Sequence, residues 1–313
     1  MAATQRILQP GEIEALDRIS FPRVRLPQQP AALFQERAAR LRQLAEGSPI
    51  ADYLRFAARI VEAQQQLVAT LPPFGPPDAP AVRRAAEAGM PLLPASDPLP
   101  PPWRAVLRDL AARLQADAGL PAALQPALAR LAHMPDAVLD VLARQALGDN
   151  VAHEDLAAAP LVMAALQVVF AARAAAVPSH AVPPASPATV CPVCGSLPVA
   201  SVLRIGGEAG GHRYLHCGLC ATEWHMVRVK CSHCESTGGV RYQGVDGAPP
   251  VVLAETCAQC RTYRKIVNQE KDPFAEALAD DLASITLDLL MGETEFARAS
   301  GNPLLAIERP LAV

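Results

Sequence analysis

Residues 213–234 read RYLHCGLCATEWHMVRVKCSHC and contain two pairs of cysteines, with two residues between the members of each pair. The chain has eight cysteines, and all of them fall between residues 191 and 260. They form four C-x2-C pairs, namely Cys191/Cys194, Cys217/Cys220, Cys231/Cys234 and Cys257/Cys260. Each cysteine of the first two pairs has a counterpart 40 positions later, which indicates an internal duplication of one C-x2-C-x22-C-x2-C unit.

The cysteine spacing predicts two metal sites. Two residues between cysteines allow a tight turn to aim both sulfurs at one ion, and two such turns complete a tetrahedral site. We therefore expect one ion in each copy of the unit. The predicted ligands are Cys191, Cys194, Cys217 and Cys220 for the first ion, and Cys231, Cys234, Cys257 and Cys260 for the second. On spacing alone zinc is favoured, although four thiolates also suit rubredoxin-type iron.

The N-terminal sequence MAATQRILQPGEIEALD has early acidic residues and lacks the apolar segment of a secretory signal, so we expect a cytoplasmic protein. Paired cysteines in a reducing compartment bind metal more often than they form disulfides. The longest apolar stretch, Leu156–Val177, contains Pro160, Gln167 and Arg173. It predicts a buried helix and no membrane insertion, because a span needs roughly 18 or more uninterrupted apolar residues.

The length of the chain, 313 residues, and its sequence patterns predict a multidomain α+β protein. We expect an N-terminal all-helical domain (1–176), a Pro-rich linker (177–190), a first metal module (191–230), a second (231–271), and a C-terminal helix with a tail (272–313). Within the modules, β-prone runs occur at Pro198–Ile205, His212–Leu215, Trp224–Val229 and Val251–Ala254. The last helix should bury a stripe formed by Phe274, Leu278, Leu282, Ile285 and Leu289.

Helix signals divide the front of the chain into segments. A helix should begin near Pro30 and end at Gly47, and Ser48 with Pro49 should start the next one. Residues Leu71–Pro102 are dense in proline and predict a break with one short helix around Ala81–Ala88. Further helices are expected at Trp103–Ala118, Pro121–Ala132, Pro135–Leu147 and Glu154–Ala176.

The charge distribution bears on the class of partner. Residues 191–271 carry nine Lys and Arg against six Asp and Glu, whereas residues 272–313 carry two against eight. Eight thiolates with two divalent ions would add a charge of −4, which cancels the basic excess and argues against nucleic-acid binding. A zinc ribbon that binds nucleic acid or serves as a structural interaction module remains the alternative. The acidic Glu276, Asp280 and Asp288 form either a partner-binding surface or an ordinary solvated face.

Little in the sequence supports catalysis. The chain has three lysines, no Gly-rich phosphate loop, no G-x-S-x-G motif and no cysteine outside the pairs. A fully ligated four-cysteine site also leaves no open position for a substrate. We therefore expect a protein that is not an enzyme.

Several stretches resemble the FdhE family of bacterial formate dehydrogenase accessory proteins. They are SPIADYLRFAARIVEAQ (48–64), CPVCGSLPVASV (191–202), RYLHCGLCATEWHMVRVKCSHC (213–234), QEKDP (269–273) and ADDLASITLD (279–288). The resemblance covers most of the chain, and all eight cysteines match. Residues Leu71–Pro102 show no feature that can be matched.

The resemblance implies a cytoplasmic, non-enzymatic protein that assists maturation of respiratory formate dehydrogenases. It implies a helical domain followed by two rubredoxin-like modules, each holding an iron ion, with zinc possible instead. The implied partner is the catalytic subunit of formate dehydrogenase, a molybdenum enzyme exported folded by the twin-arginine route. Because ferrous and ferric four-thiolate sites differ by one charge, we also expect that the protein could respond to redox conditions.

Overall fold

A computed structural model of the chain describes residues 21–96, 98–148, 150–184 and 187–306. The expectations for residues 1–20 and for the end of the tail, 307–313, lie outside the described residues. The helices are α1 Pro30–Ala45, α2 Ala51–Thr70, α3 Ala79–Ala88, α4 Trp103–Gln115, α5 Gln125–His133, α6 Asp136–Leu147, α7 Ala159–Ala175, α8 Ala277–Ala283 and α9 Ile285–Gly292. The strands are β1 Val24–Arg25, β2 Pro198–Leu203, β3 Arg213–Cys217, β4 Glu223–His225, β5 Val240–Gln243, β6 Val252–Cys257, β7 Thr262–Asn268 and β8 Ala297–Arg298.

The front of the chain folds as a helical bundle around α7. This helix is apolar on nearly every side, and it packs against α2, α4 and α6. Its residues from Leu161 to Ala171 are almost all buried, so the apolar stretch forms the predicted buried helix. In the described part of the chain, no helix combines the length and apolar character needed to cross a bilayer.

The start of α2 differs from the expected one. Its first residue is Ala51 and its N-cap is Ile50, so the helix begins after Ser48-Pro49 instead of on it. The Ser48 hydroxyl still accepts a hydrogen bond from the Ile50 N–H, at 3.3 Å. The predicted short helix in the Pro-rich stretch is present as α3, which Gly89 ends in a left-handed conformation.

The two cysteine units build one continuous sheet. Strands β2-β3-β4 and β5-β6-β7 are two antiparallel meanders, and the sheet order is β1-β4-β3-β2-β7-β6-β5, with β8 beside β7. The meanders meet where β2 and β7 pair in parallel, with Ser201 opposite Ile266. The duplicated units therefore share a single hydrogen-bonded scaffold.

The front of the chain is helical as predicted, and it adds one short strand to the sheet. Residues Val24–Arg25 form β1, which pairs with β4 at the edge of the sheet, with Val24 opposite Trp224. Two residues carry too little periodicity to be recognised as a strand, and the pairing depends on a partner about 200 positions away.

The C-terminal segment also differs from the single helix that was predicted. It forms α8 and α9, which are separated at Ser284. The Ser284 hydroxyl bonds back to the carbonyls of Asp280 and Asp281, so α8 ends here. The break changes the buried face, so that α9 buries Leu287 and Met291. Two members of the predicted stripe, Phe274 and Leu289, are instead 77% and 68% exposed.

Candidate metal centres

Each C-x2-C pair forms a tight turn, which we call a knuckle and number in chain order: Cys191–Cys194, Cys217–Cys220, Cys231–Cys234 and Cys257–Cys260. The residue after each knuckle has a left-handed backbone, with φ of 79° at Gly195, 58° at Ala221, 59° at Glu235 and 53° at Arg261. In the first, third and fourth knuckles this residue donates its N–H to the carbonyl of the knuckle's first cysteine. The tight turn therefore directs both cysteine sulfurs of a knuckle to the same side of the turn.

The fold brings the knuckles together as the duplication predicted. Cys191, Cys194, Cys217 and Cys220 form a first quartet, and Cys231, Cys234, Cys257 and Cys260 form a second, with the ligand atoms of each quartet all within 4.8 Å of one another. Each quartet combines two knuckles of the same cysteine unit.

The sulfur separations fit a tetrahedral ion. A metal–sulfur bond of about 2.3 Å in a tetrahedron corresponds to sulfurs about 3.8 Å apart. In the first quartet Cys191 and Cys220 have sulfurs 3.5 Å apart, and Cys194 and Cys217 have sulfurs 3.4 Å apart. In the second quartet, the separations are 3.7 Å and 3.8 Å. Four converging thiols at these distances are a donor set that could hold one ion in each quartet.

The two quartets differ in their access to solvent. All four cysteines of the first quartet are buried and belong to the main core, which they share with the helical bundle. In the second quartet Cys231 and Cys257 are buried, Cys260 is half-buried and Cys234 is exposed. Chemical reagents therefore reach the second quartet more readily than the first.

Backbone and hydroxyl groups surround the sulfurs. The Leu219 N–H donates to the Cys217 sulfur at 3.4 Å, and the His233 N–H donates to the Cys231 sulfur at 3.3 Å. Burial raises the pKa of Cys191 well above its ordinary value and that of Cys231 to about 12. A bound cation would favour the thiolate form in these surroundings.

Two threonines near the sulfurs were missed in the sequence. The Thr222 hydroxyl lies 3.2 Å from the Cys220 sulfur, and the Thr262 hydroxyl lies 3.1 Å from the Cys260 sulfur. Each threonine follows the second cysteine of its pair by two positions, and the two are 40 residues apart. Extending the comparison of the duplicated units beyond the cysteines would have found them.

None of the four histidines in this region belongs to a quartet. His212 and His225 lie beside the ring of Phe21, and His233 is exposed on the third knuckle. His216 is buried, with Nδ1 3.0 Å from the carboxylate of Glu223.

The buried His216 is part of a charged cluster. Burial alone would raise the pKa of Glu223, but the charge of Arg204 and the hydrogen bond to His216 hold it well below its usual range. His216 lines two cavities of about 460 and 720 Å³, and its Nε2 has no hydrogen-bond partner among the described residues.

The three acidic residues considered for partner binding form ion pairs within the protein. Glu276 pairs with Arg37 at 3.0 Å, Asp280 with Arg40 at 2.6 Å, and Asp288 with Lys265 at 2.6 Å. Asp280 is buried and the other two carboxylates are mostly covered. Their role towards a partner stays a prediction.

Several basic residues of the sheet are buried as well. Arg213 forms a fully buried pair with Glu255 at 2.6 Å, and Lys265 is buried between Asp281 and Asp288. Arg264 donates to the hydroxyls of Ser232 and Ser300. The basic excess of residues 191–271 is therefore partly internal, which reduces the positive surface that a nucleic acid could contact.

The chain is similar to known proteins along most of its length. Three family profiles match successive parts of it: "FdhE, N-terminal" matches residues 21–186, "FdhE, central domain" residues 190–228 and "FdhE, C-terminal domain" residues 229–305.

Individual relatives agree with these matches. A protein FdhE homolog from Cronobacter sakazakii is 40% identical over 297 residues, which cover 93% of this chain and 92% of the relative. Another from Yersinia pestis is 42% identical over 275 residues, covering 88% of each chain. The crystal structure of the FdhE protein from Pseudomonas aeruginosa superposes with a TM-score of 0.80 at 37% identity, covering 91% of this chain and 99% of that one.

Proposed function

This chain belongs to the FdhE family, and we propose that it is an accessory protein that binds the catalytic subunit of formate dehydrogenase in the cytoplasm during maturation. The observation that carries the proposal is the pair of cysteine quartets on one sheet, packed against a helical bundle. This arrangement offers rigid, metal-stabilised surfaces and suits a protein that works by binding another protein.

We propose further that the protein is not an enzyme. Each quartet supplies four sulfur donors, which fill the coordination sphere of a tetrahedral ion. Catalytic metal sites keep one position open for water or substrate. The quartets are therefore suited to holding ions and stabilising the fold.

Each quartet is proposed to hold one ion, and the family resemblance favours iron over zinc. An iron ion with four thiolates would supply one-electron redox chemistry, whereas zinc would be structural. The test is metal analysis with a visible spectrum on protein purified without added metal. Two irons per chain with a red ferric-thiolate spectrum would support the proposal, and a colourless protein with two zinc ions would overturn the choice of iron.

The partner can be tested with purified components. The full-length protein should retain the catalytic subunit of formate dehydrogenase in a pull-down, and it should not bind DNA or RNA at physiological salt. Retention of nucleic acid without the catalytic subunit would overturn the proposal in favour of a nucleic-acid-binding zinc ribbon.

A redox-dependent interaction is part of the proposal. The second quartet, with Cys234 exposed and Cys260 half-buried, is open to oxidants, and a change in the ion would alter its charge by one. We expect the reduced and oxidised forms of the protein to bind the catalytic subunit with different affinity. Equal affinity, measured by titration under anaerobic and oxidising conditions, would exclude this response.

A further inference from the structure

The first knuckle is covered by a bent segment from the helical part of the chain. Residues Pro91–Ala95, which we call the strap, follow α3 and run along the knuckle with their backbone N–H groups directed at its carbonyl oxygens. The three hydrogen bonds are Leu92 to Pro192 at 3.3 Å, Leu93 to Val193 at 2.7 Å and Ala95 to Cys194 at 2.9 Å. Successive carbonyls of the knuckle thus form a recognition edge that accepts hydrogen bonds from the backbone of another segment.

The strap excludes solvent from this knuckle. Val193 and Cys194 are both buried. Pro91 packs so closely on Gly195 that a Cβ at position 195 would lie 2.9 Å from the Pro91 Cγ. The left-handed backbone favours glycine at position 195, and the close approach of the strap leaves no room there for a Cβ.

The third knuckle is the duplicate of the first and has the same turn. The Cys231 N–H donates to the Ser236 carbonyl at 2.8 Å, as the Cys191 N–H donates to the Ser196 carbonyl at 3.0 Å. Glu235 takes the left-handed conformation that Gly195 has in the first copy. The backbone of the third knuckle can therefore present its carbonyls as the first one does.

The third knuckle nevertheless has no strap. His233 and Cys234 are exposed, whereas their counterparts Val193 and Cys194 are buried. The carbonyl oxygens of His233 and Cys234 accept no hydrogen bond from any residue that the structure describes, whereas Ser232 is itself buried. The part of the recognition edge formed by the last two residues of the knuckle is thus occupied in the first copy and open in the second.

We propose that the third knuckle is a docking site for an uncharged, bent segment of a partner protein, whose backbone N–H groups donate to the carbonyls of His233 and Cys234. The proposal rests on the proposed function, because the partner is taken to be the catalytic subunit of formate dehydrogenase. It adds to that function a location and a mode of recognition. The strap shows, within the same molecule, that this turn binds such a segment.

Two side chains beside the third knuckle restrict the residue types that the partner segment can carry. Glu235 carries a side chain where Gly195 has none, so the partner residue that corresponds to Pro91 must be smaller than proline. Val229, two positions before the knuckle, is 61% exposed and offers an apolar contact. A segment with an apolar side chain beside a small residue fits this surface, with main-chain hydrogen bonds giving affinity and side chains giving specificity.

Site-specific photo-cross-linking tests the proposal on the full-length protein. The photoreactive residue p-benzoylphenylalanine would replace His233 in one variant and Thr237, an exposed residue beside the knuckle, in a second. The matched control carries it in place of Val138, which is 47% exposed on α6. Each variant is checked for unchanged metal content and then irradiated with the purified catalytic subunit.

We expect a cross-link from position 233 or 237 to one uncharged segment of the catalytic subunit, and no cross-link from position 138. A complex that forms without a cross-link at 233 and 237 would overturn the docking site and leave the proposed function standing. A cross-link to a second copy of this chain would overturn the assigned occupant. If the unsubstituted protein forms no complex at all, the proposed function fails and the docking site fails with it.

Discussion

Gln167 on α7 donates its side-chain amide to the carbonyl oxygen of Gly218 at 2.7 Å. Gly218 lies between the two cysteines of the second knuckle, so a helix at the centre of the bundle directly holds one turn of the first quartet. Gln167 also accepts a hydrogen bond from Gln64 at 2.8 Å, which ties the contact to α2. The first quartet is therefore part of the same core as the helical bundle.

Replacement of Gln167 by leucine should destabilise the protein. The change leaves the Gly218 carbonyl without its buried donor, and such a loss costs about 1–3 kcal/mol in the free energy of unfolding. Urea unfolding measures this loss, and release of the ion from the first quartet should become faster. The control is Gln66→Leu, an exposed glutamine of the same bundle that bonds Arg113 and should change stability little. Equal stability of the two variants would contradict the role assigned to Gln167.

The sequence predicted those features that local rules determine. The four knuckles and their grouping follow from the C-x2-C spacing and the offset of 40 residues, because a turn of this kind is specified by a few neighbouring residues. The helices of the front follow from apolar periodicity and from proline and glycine at their ends. These features needed no knowledge of distant contacts.

Features that depend on distant contacts were missed. Strand β7 reads TYRKIVN, and its Arg264 and Lys265 resemble exposed residues, although both are buried by partners on other segments. Strand β5 was also missed; it lies at the sheet edge, where two of its four residues are exposed and two are half-buried. The strap came from a Pro-rich stretch without a recognisable motif. Its role depends on a knuckle about 100 residues later, which no local pattern indicates.

A chelator should remove the ion of the second quartet before that of the first. The second quartet exposes Cys234 and part of Cys260, whereas every cysteine of the first is buried in the main core. Release of metal to a coloured chelator should therefore follow two phases of equal amplitude. The fast phase should disappear in Cys260→Ser and the slow phase in Cys220→Ser, which alter equivalent positions of the two quartets. A single phase, or the reverse assignment, would contradict the difference in access.

Asp281 should contribute stability that depends on pH. It is buried beside Lys265 and Arg298, and although burial raises its pKa, the charges of Arg298 and Lys265 lower it below the ordinary value. A carboxyl group whose pKa is lower in the folded state contributes fully above the unfolded pKa of about 4, and its contribution is lost as the pH falls through the folded pKa.

The variant Asp281→Asn should accordingly lose about 3–5 kcal/mol in the free energy of unfolding at neutral pH, because two buried cations lose one of the two carboxylates that they share, Asp288 being the other. The difference in the free energy of unfolding between this variant and the unsubstituted protein should stay constant around neutral pH and become smaller below about pH 4. Unfolding curves at several pH values measure it. The control Asp52→Asn removes an exposed pair with Arg55 and should change little. If the difference in the free energy of unfolding instead grew towards acid pH, the lowered pKa assigned to Asp281 in the folded protein would be wrong.

Charge reversal at Asp280 should act first on the fold. Its carboxylate is buried and accepts two hydrogen bonds from Arg40, so a lysine there would place two cations together in the interior. We expect Asp280→Lys to lower the free energy of unfolding by at least about 3–5 kcal/mol, in the range for broken buried ion pairs.

The matched control is Glu293→Lys, which reverses an exposed charge just after α9 and should leave stability unchanged. Thermal unfolding of both variants must precede any binding assay, because an unfolded variant that fails to bind the proposed partner says nothing about whether Asp280 lies on the binding surface. If Asp280→Lys is as stable as the unsubstituted protein and yet loses the partner, Asp280 acts at the partner surface, and the structural role given to its ion pair is wrong.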